Sequence, residues 1–410
     1  MFTATDGIVL PTTVIGSWPR PRWFDVGMWG EQLSLRMTDN EYREKFLDAT
    51  QAVVNEQQRA GLDILTNGDY HLDDNLGGLS WLLWNVERMG GVEAKKPIQS
   101  SSDWAYPAGH ILNEVMGGWR YPPVTGQLHE DTPLEFDKLW RLAQLNADRP
   151  VKFGTATAQI VASFLENRSD FYDDDKRQLT WDLAGLMNTE FKRLAAAGCK
   201  VIQLEDPMIH LAAASNPPAE YVDFLVDALN HEIEGLDDVE VWVHTCWGNP
   251  NMQRVADEAT NTYASSLETY LYRLNCDVLT VEMKERNFRD IELFGNFRDH
   301  AKKISVGVIS HRDIQVESAE EVAADTRTAL QHIDADRLVL GTDCGFGRGG
   351  FNRLVAYHKA AAMAAGANIV RRELGAPTTS PRSLDPGRQI DTMPQGEEVG
   401  AFSQSHQLQV

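Results

Sequence analysis

Short apolar runs alternate with longer amphipathic stretches along most of the chain. The runs are TTVIGS (12–17), LDILTNGD (62–69), VKFGTAT (151–157), KVIQLED (200–206), VEVWVHTC (239–246), DVLTVE (277–282), ISVGVIS (304–310) and RLVLGTDC (337–344). Between them, apolar residues recur at three- and four-residue intervals, the spacing of one helix face. The stretch 40–61 opens after polar residues and stops at Gly61, and 179–198 also stops at a glycine. The stretch 217–235 enters on prolines, and 318–333 opens on a serine that can cap a helix. Eight strand-like runs with helices between them predict an α/β protein built as a (β/α)8 TIM barrel. A doubly wound sheet alternates in the same way, so the count of eight does not separate the two.

Two stretches fall outside the alternation. Residues 70–150 are rich in Trp, Gly and Pro, with YPPVTGQL placed to form part of a hairpin, and read as an insertion after the second strand. From about Ala376 the chain turns Pro-, Ser- and Gln-rich, so 376–410 read as a flexible or extended tail. Residues 1–375 are then one catalytic domain. Trp81, Trp84, Trp104 and Trp119 in the insertion can either wall a substrate cavity or simply pack.

In such a barrel, chemistry gathers where strands end. The runs end in Ser17, in Asp69, in Glu205 and Asp206, in His244 and Cys246, and in Glu282. His311 follows the seventh, and Asp343 and Cys344 end the eighth. Residues two apart on a strand point to the same side, so His244 and Cys246 share a face. His244, Cys246, Glu282 and Cys344 form a nitrogen, sulfur and carboxylate set suited to tetrahedral Zn²⁺. Ligands spread over a hundred residues on strand ends suit a catalytic metal better than a structural one. Asp343 can instead brace a turn, and GFGRGG (345–350) reads as the turn after Cys344, with Arg348 near the site. Cys199 and Cys276 lie where helices give way to strands and read as core residues.

Sixty acidic against 38 basic residues give a formal charge of −22, which argues against nucleic acid or anionic membranes as partners. No 18-residue apolar run is present, and the N-terminus lacks the pattern of a secretory leader, so a cytoplasmic location is the expectation.

These motifs carry a resemblance. TTVIGSWPRP (12–21), ILTNGD (64–69), VIQLEDP (201–207), HTC (244–246), TVE (280–282) and TDCGFG (342–347) occur in the order found in cobalamin-independent methionine synthases. The chain resembles their catalytic half, and the shorter stand-alone members of that superfamily, over residues 10–366. The resemblance implies a zinc-dependent methyltransferase that alkylates homocysteine or a related thiol. His244, Cys246, Glu282 and Cys344 match the family's zinc ligands. Ile15, Gly16 and Ser17 match the segment that holds the amino acid's carboxylate. Asp69 and Glu205 match the carboxylates that grip its amino group, and His311 the proton donor.

The chain departs from the family in three places. Asp69 and Glu205 exchange the usual lengths, Ala162 replaces a tryptophan of the folate platform, and the arginine expected before the prolines is not matched around GGWRYPP (117–123). A folate, a methyl-corrinoid protein or a small electrophile therefore stay open as donor. Related epoxyalkane:coenzyme M transferases give one alternative function, and a non-catalytic zinc-binding barrel another.

Overall fold

The computed structural model describes residues 3–24, 31–69, 71, 80–93, 98–99, 119–120, 122–207, 209–249, 252–253, 262–299, 301–347 and 351–379. Its centre is a seven-stranded parallel sheet: β1 (Leu65–Thr66), β2 (Val151–Ala156), β3 (Val201–Glu205), β4 (Glu240–Thr245), β5 (Val278–Val281), β6 (Lys303–Ile309) and β7 (Leu338–Thr342), in that spatial order. The strands are buried along their length, as sheets covered on both faces require. Helices join them, and the curled sheet is consistent with a TIM-like barrel.

The first predicted run, 12–17, differs from expectation. It makes one parallel bridge, Thr12 to Leu340, and no strand. Its backbone still spans the gap: Thr13 N–H donates to the Leu340 carbonyl at 3.0 Å, and the Thr12 carbonyl accepts from Ile64 at 3.1 Å. Further along, Ile15 N–H donates to a side chain, Thr342 Oγ1, at 3.1 Å.

The helices run close to their predicted bounds. Asn40–Ala60 ends at Gly61, whose φ of 94° satisfies a left-handed cap. Arg177–Ala196 and Ala219–Glu232 follow. Ala319–Leu330 opens with a full capping box between Ser318 and Glu321. Within 70–150, Val124–Glu130 pairs antiparallel with Met89–Val92, so the expected hairpin segment is part of a ladder. A helix at Phe136–Gln144 leads into β2, and Arg353–Glu373 closes the described chain; neither was among the predicted helices. The tail beyond Thr379 lies outside the described residues. Among the described residues, no helix is long and apolar enough to cross a membrane.

Strand alternation sorts the core. Val241 and Val243 belong to the large cluster under the helices. Ile64, Val201, Trp242, Val278 and Val339 form a separate small cluster with Ala4 at the sheet's N-terminal end. Two residues on from Val201, Trp242 and Val278 stand Gln203, His244 and Thr280, and two further Glu205, Cys246 and Glu282. One face of the sheet thus changes from apolar to polar and ionisable along the strand direction. The N-terminal residues seal the apolar end: Thr3, Ala4 and Thr5 donate backbone N–H groups to Glu240 at 2.5 to 2.8 Å.

A candidate metal centre at the strand ends

His244, Cys246 and Cys344 come together at the C-terminal end of this face. One ligand atom from each lies within 4.8 Å of the others. His244 and Cys246 are buried and Cys344 is half-buried. His244 Nδ1 is 2.5 Å from Glu205 Oε2, and its Nε2 is 3.2 Å from the carbonyl oxygen of Asp343. Burial opposes a charge on this imidazole, yet the Glu205 carboxylate outweighs it and lifts the pKa to about 9. A carboxylate on one ring nitrogen is the usual brace for a metal-ligating histidine. The Cys246 thiol is held well above its ordinary pKa by its hydrogen bond with Cys344 and by burial. Two sulfurs and a nitrogen clustered at one mostly buried point fit a thiophilic divalent cation such as zinc, whose charge would favour the thiolates.

Glu282 stands apart from this trio. It groups with His311 and Asp343, again with ligand atoms within 4.8 Å, and all three are buried. Its carboxylate is already engaged: Oε1 accepts from Arg312 Nη1 at 2.6 Å and Oε2 from the Trp247 backbone N–H at 2.9 Å. Arg312 also donates to the Gly248 carbonyl at 2.8 Å, tying the loop after Cys246 to the same pair. Asp343 braces a turn, accepting from the backbone N–H groups of Met283, Lys284 and Glu285 at 2.7, 2.9 and 2.7 Å.

The candidate amino-acid residues lie alongside. A Cβ placed on Gly16 would sit 2.9 Å from Asp69 Oδ2 and 3.6 Å from Glu205 Oε1, so both carboxylates converge on the space glycine leaves empty. Asp69 is held at φ 50°, an uncommon backbone state for a residue with a side chain. Ser17 Oγ accepts from Gly347 N–H at 3.1 Å. A Cβ on Gly345 would fall 2.1 Å from that oxygen, so the glycines after Cys344 permit close approach to Ser17. Arg348 lies outside the described residues, as do the side chains of Trp81, Trp104 and Trp119. Trp84 is buried, donating to the Leu134 carbonyl at 3.0 Å. Ala162 is buried in the helix Ala158–Phe164, and Cys199 and Cys276 are buried in the core.

Sequence reasoning missed Arg312, Gln203 and Lys152. The first follows a flagged histidine. The other two are inward-facing polar residues inside otherwise apolar strands, a signal available from alternation alone.

Comparison with known proteins bears on this site. The family described as "Cobalamin-independent synthase, Catalytic domain" matches residues 10–367. Methionine synthases from Sulfurisphaera tokodaii and Sulfolobus acidocaldarius are each 28% identical, over 92% and 89% of this chain and 97% and 94% of their own lengths. A solved B12-independent methionine synthase from Shewanella sp. W3-18-1, in complex with selenomethionine, superposes with a TM-score of 0.71 at 26% identity. That match covers 90% of this chain and 99% of the other.

Proposed function

Since the chain belongs to the cobalamin-independent methionine synthase catalytic-domain family, and is on that ground a methyltransferase, we propose that it methylates the sulfur of homocysteine to give methionine, using Zn²⁺ held by His244, Cys246, Cys344 and Glu282. The observation that carries this reading is the meeting of the neighbouring His244 and Cys246 with the distant Cys344, one ligand atom from each within 4.8 Å of the others, at the strand ends. The bound selenomethionine of the Shewanella relative supports an amino-acid thioether as product. We further propose a full (β/α)8 barrel over residues 1–375, with 70–150 as an insertion and 376–410 as a tail; the bridge at Thr12 supports the closure of the barrel.

A free thiol has a pKa near about 8.5 and is mostly protonated at neutral pH. When bound, the metal lowers that pKa, so the substrate sulfur is present as a nucleophile. Asp69 and Glu205 hold the substrate ammonium in the space left at Gly16, and the Ile15–Ser17 segment receives its carboxylate. With both ends fixed, the sulfur is aimed along the line of methyl transfer, and such orientation lowers a barrier by several kcal/mol. As the new sulfur–carbon bond forms, the bond from methyl to donor breaks. His311 gives its proton to the leaving group. Glu282, hydrogen-bonded to Arg312, would supply the carboxylate of the metal's ligand set.

The test uses the purified protein with homocysteine or coenzyme M as acceptor, and methyltetrahydropteroylglutamate or a methyl-corrinoid protein as donor. The expected result is about one zinc per chain and methionine formation. Absence of bound zinc, or preference for coenzyme M, overturns the proposal. Coenzyme M carries a sulfonate, which two carboxylates beside Gly16 would repel.

A further inference from the structure

Lys152 lies inside the sheet, on the same face as the site residues, with no solvent exposure. Its Nζ is 2.5 Å from Gln203 Oε1 and 4.6 Å from the centre of the Trp242 ring. An ammonium only donates, so it requires the oxygen of the Gln203 amide and turns the amide nitrogen the other way. That nitrogen donates to the Ile15 carbonyl at 2.9 Å and to Glu205 Oε1. The remaining Glu205 oxygen faces His244. One buried lysine therefore fixes an amide, which holds one oxygen of a carboxylate whose other oxygen meets His244. Without it, Gln203 could exchange its nitrogen and oxygen at little steric cost, setting oxygen against oxygen at Glu205.

When protonated, Lys152 also carries a positive charge near Asp69 and Glu205. Burial lowers its pKa to about 7, and Glu205 and Asp69 only limit that fall. Two anions converging on the space at Gly16 repel each other in a medium of low dielectric. A cation beneath them offsets that repulsion at the place where a substrate ammonium would sit.

We infer that Lys152 is a positioning residue for the amino-group subsite, acting through Gln203 on Glu205 and so setting the enzyme's preference for a thiol that bears an ammonium. The inference rests on the amino-acid reading of Asp69 and Glu205 given above. It names a residue that touches neither substrate nor metal.

The experiment compares homocysteine with its deamino analogue, 4-mercaptobutanoate, in the zinc-loaded enzyme and in Lys152→Met, Lys152→Arg and Gln203→Met. The unaltered enzyme should favour homocysteine in kcat/KM. In Lys152→Met that ratio should fall about tenfold or more, mainly through KM for homocysteine, with zinc content unchanged and partial recovery in Lys152→Arg. Gln203→Met should lose selectivity in the same way, which keeps the test open if Lys152→Met does not fold. An unchanged ratio in folded variants overturns the inference, as does loss of zinc together with kcat. If the unaltered enzyme does not discriminate between the two thiols, the amino-acid reading itself fails, a result separable from any effect of the variants.

Discussion

Gly307 and Gly341 face each other across the ladder between β6 and β7, yet their surroundings predict opposite tolerance. A Cβ on Gly307 would fall 1.9 Å from Asp343 Oδ1 and 2.9 Å from Asp343 Cα. The second contact is to backbone, so no side-chain rotation relieves it. A Cβ on Gly341 would lie 3.1 Å from Ser305 Oγ, which a small shift accommodates, and at ordinary contact distance, 3.8 and 3.9 Å, from the Thr13 and Val306 carbonyl oxygens. In Gly307→Ala, Asp343 must leave its three backbone donors. Losing the buried Met283 N–H alone costs about 1–3 kcal/mol, and the forced overpacking adds about 1–3 kcal/mol. The expected loss is therefore about 2–6 kcal/mol, against less than about 1 kcal/mol for Gly341→Ala. Asp343 also precedes Cys344 and presents its carbonyl to His244, so zinc affinity should fall with stability, by about tenfold or more. Urea melts of the metal-free proteins and chelator competition for zinc measure the two effects. Equal stability of the two variants, or a Gly307→Ala protein that binds zinc normally, would refute the reasoning.

Three further outcomes follow from other buried groups. Arg312→Leu removes the cation that pairs with the buried Glu282 carboxylate and should destabilise the metal-free protein by about 3–5 kcal/mol. The loss should be smaller with zinc bound, since the metal then balances that charge; equal losses in paired thermal melts would remove Glu282 from the ligand set. Alkylation at about pH 8 should label half-buried Cys344 first in metal-free protein, and added zinc should protect it. Cys199 and Cys276, buried and pushed up to about 12 and about 11, should stay unlabelled by mass spectrometry until the protein unfolds. Burial pulls Lys152 from 10.5 down to about 7, so between those values the unfolded chain binds a proton that the folded chain does not. Stability from this group then rises with pH across that window by up to about 1.4 kcal/mol per unit. Lys152→Met should flatten the rise in denaturation curves, and an unchanged slope would show that the lysine stays charged when folded.

The readable parts of the sequence were those with a local cause. Gly61 and Ser318 end and begin helices because the glycine's left-handed backbone and the serine's hydroxyl satisfy orphan backbone groups within a few residues. Strand runs were legible because burial on both faces leaves them almost wholly apolar. The run 12–17 looked the same as the others, but its pairing depends on Leu340 and Ile64, which no local pattern reveals. Helix Phe136–Gln144 was obscured because its neighbourhood reads by composition as an insertion.

The site divides along the same line. Alternation alone puts Gln203 and Glu205, or His244 and Cys246, on one face, so the residue types at the strand ends could be read in advance. What they hold could not. Glu205 is the clearest case: the resemblance makes it a grip for an amino group, while the structure also ties it to His244 and, through Gln203, to Lys152. A carboxylate shared between the substrate space and a candidate metal ligand couples the two, because any shift that improves one contact strains the other. Exchanging only Glu205 for aspartate would shorten its reach to His244 and to the space at Gly16 together. Restoring the family's lengths at positions 69 and 205 therefore requires both substitutions at once, with the Gln203 amide still turned by Lys152.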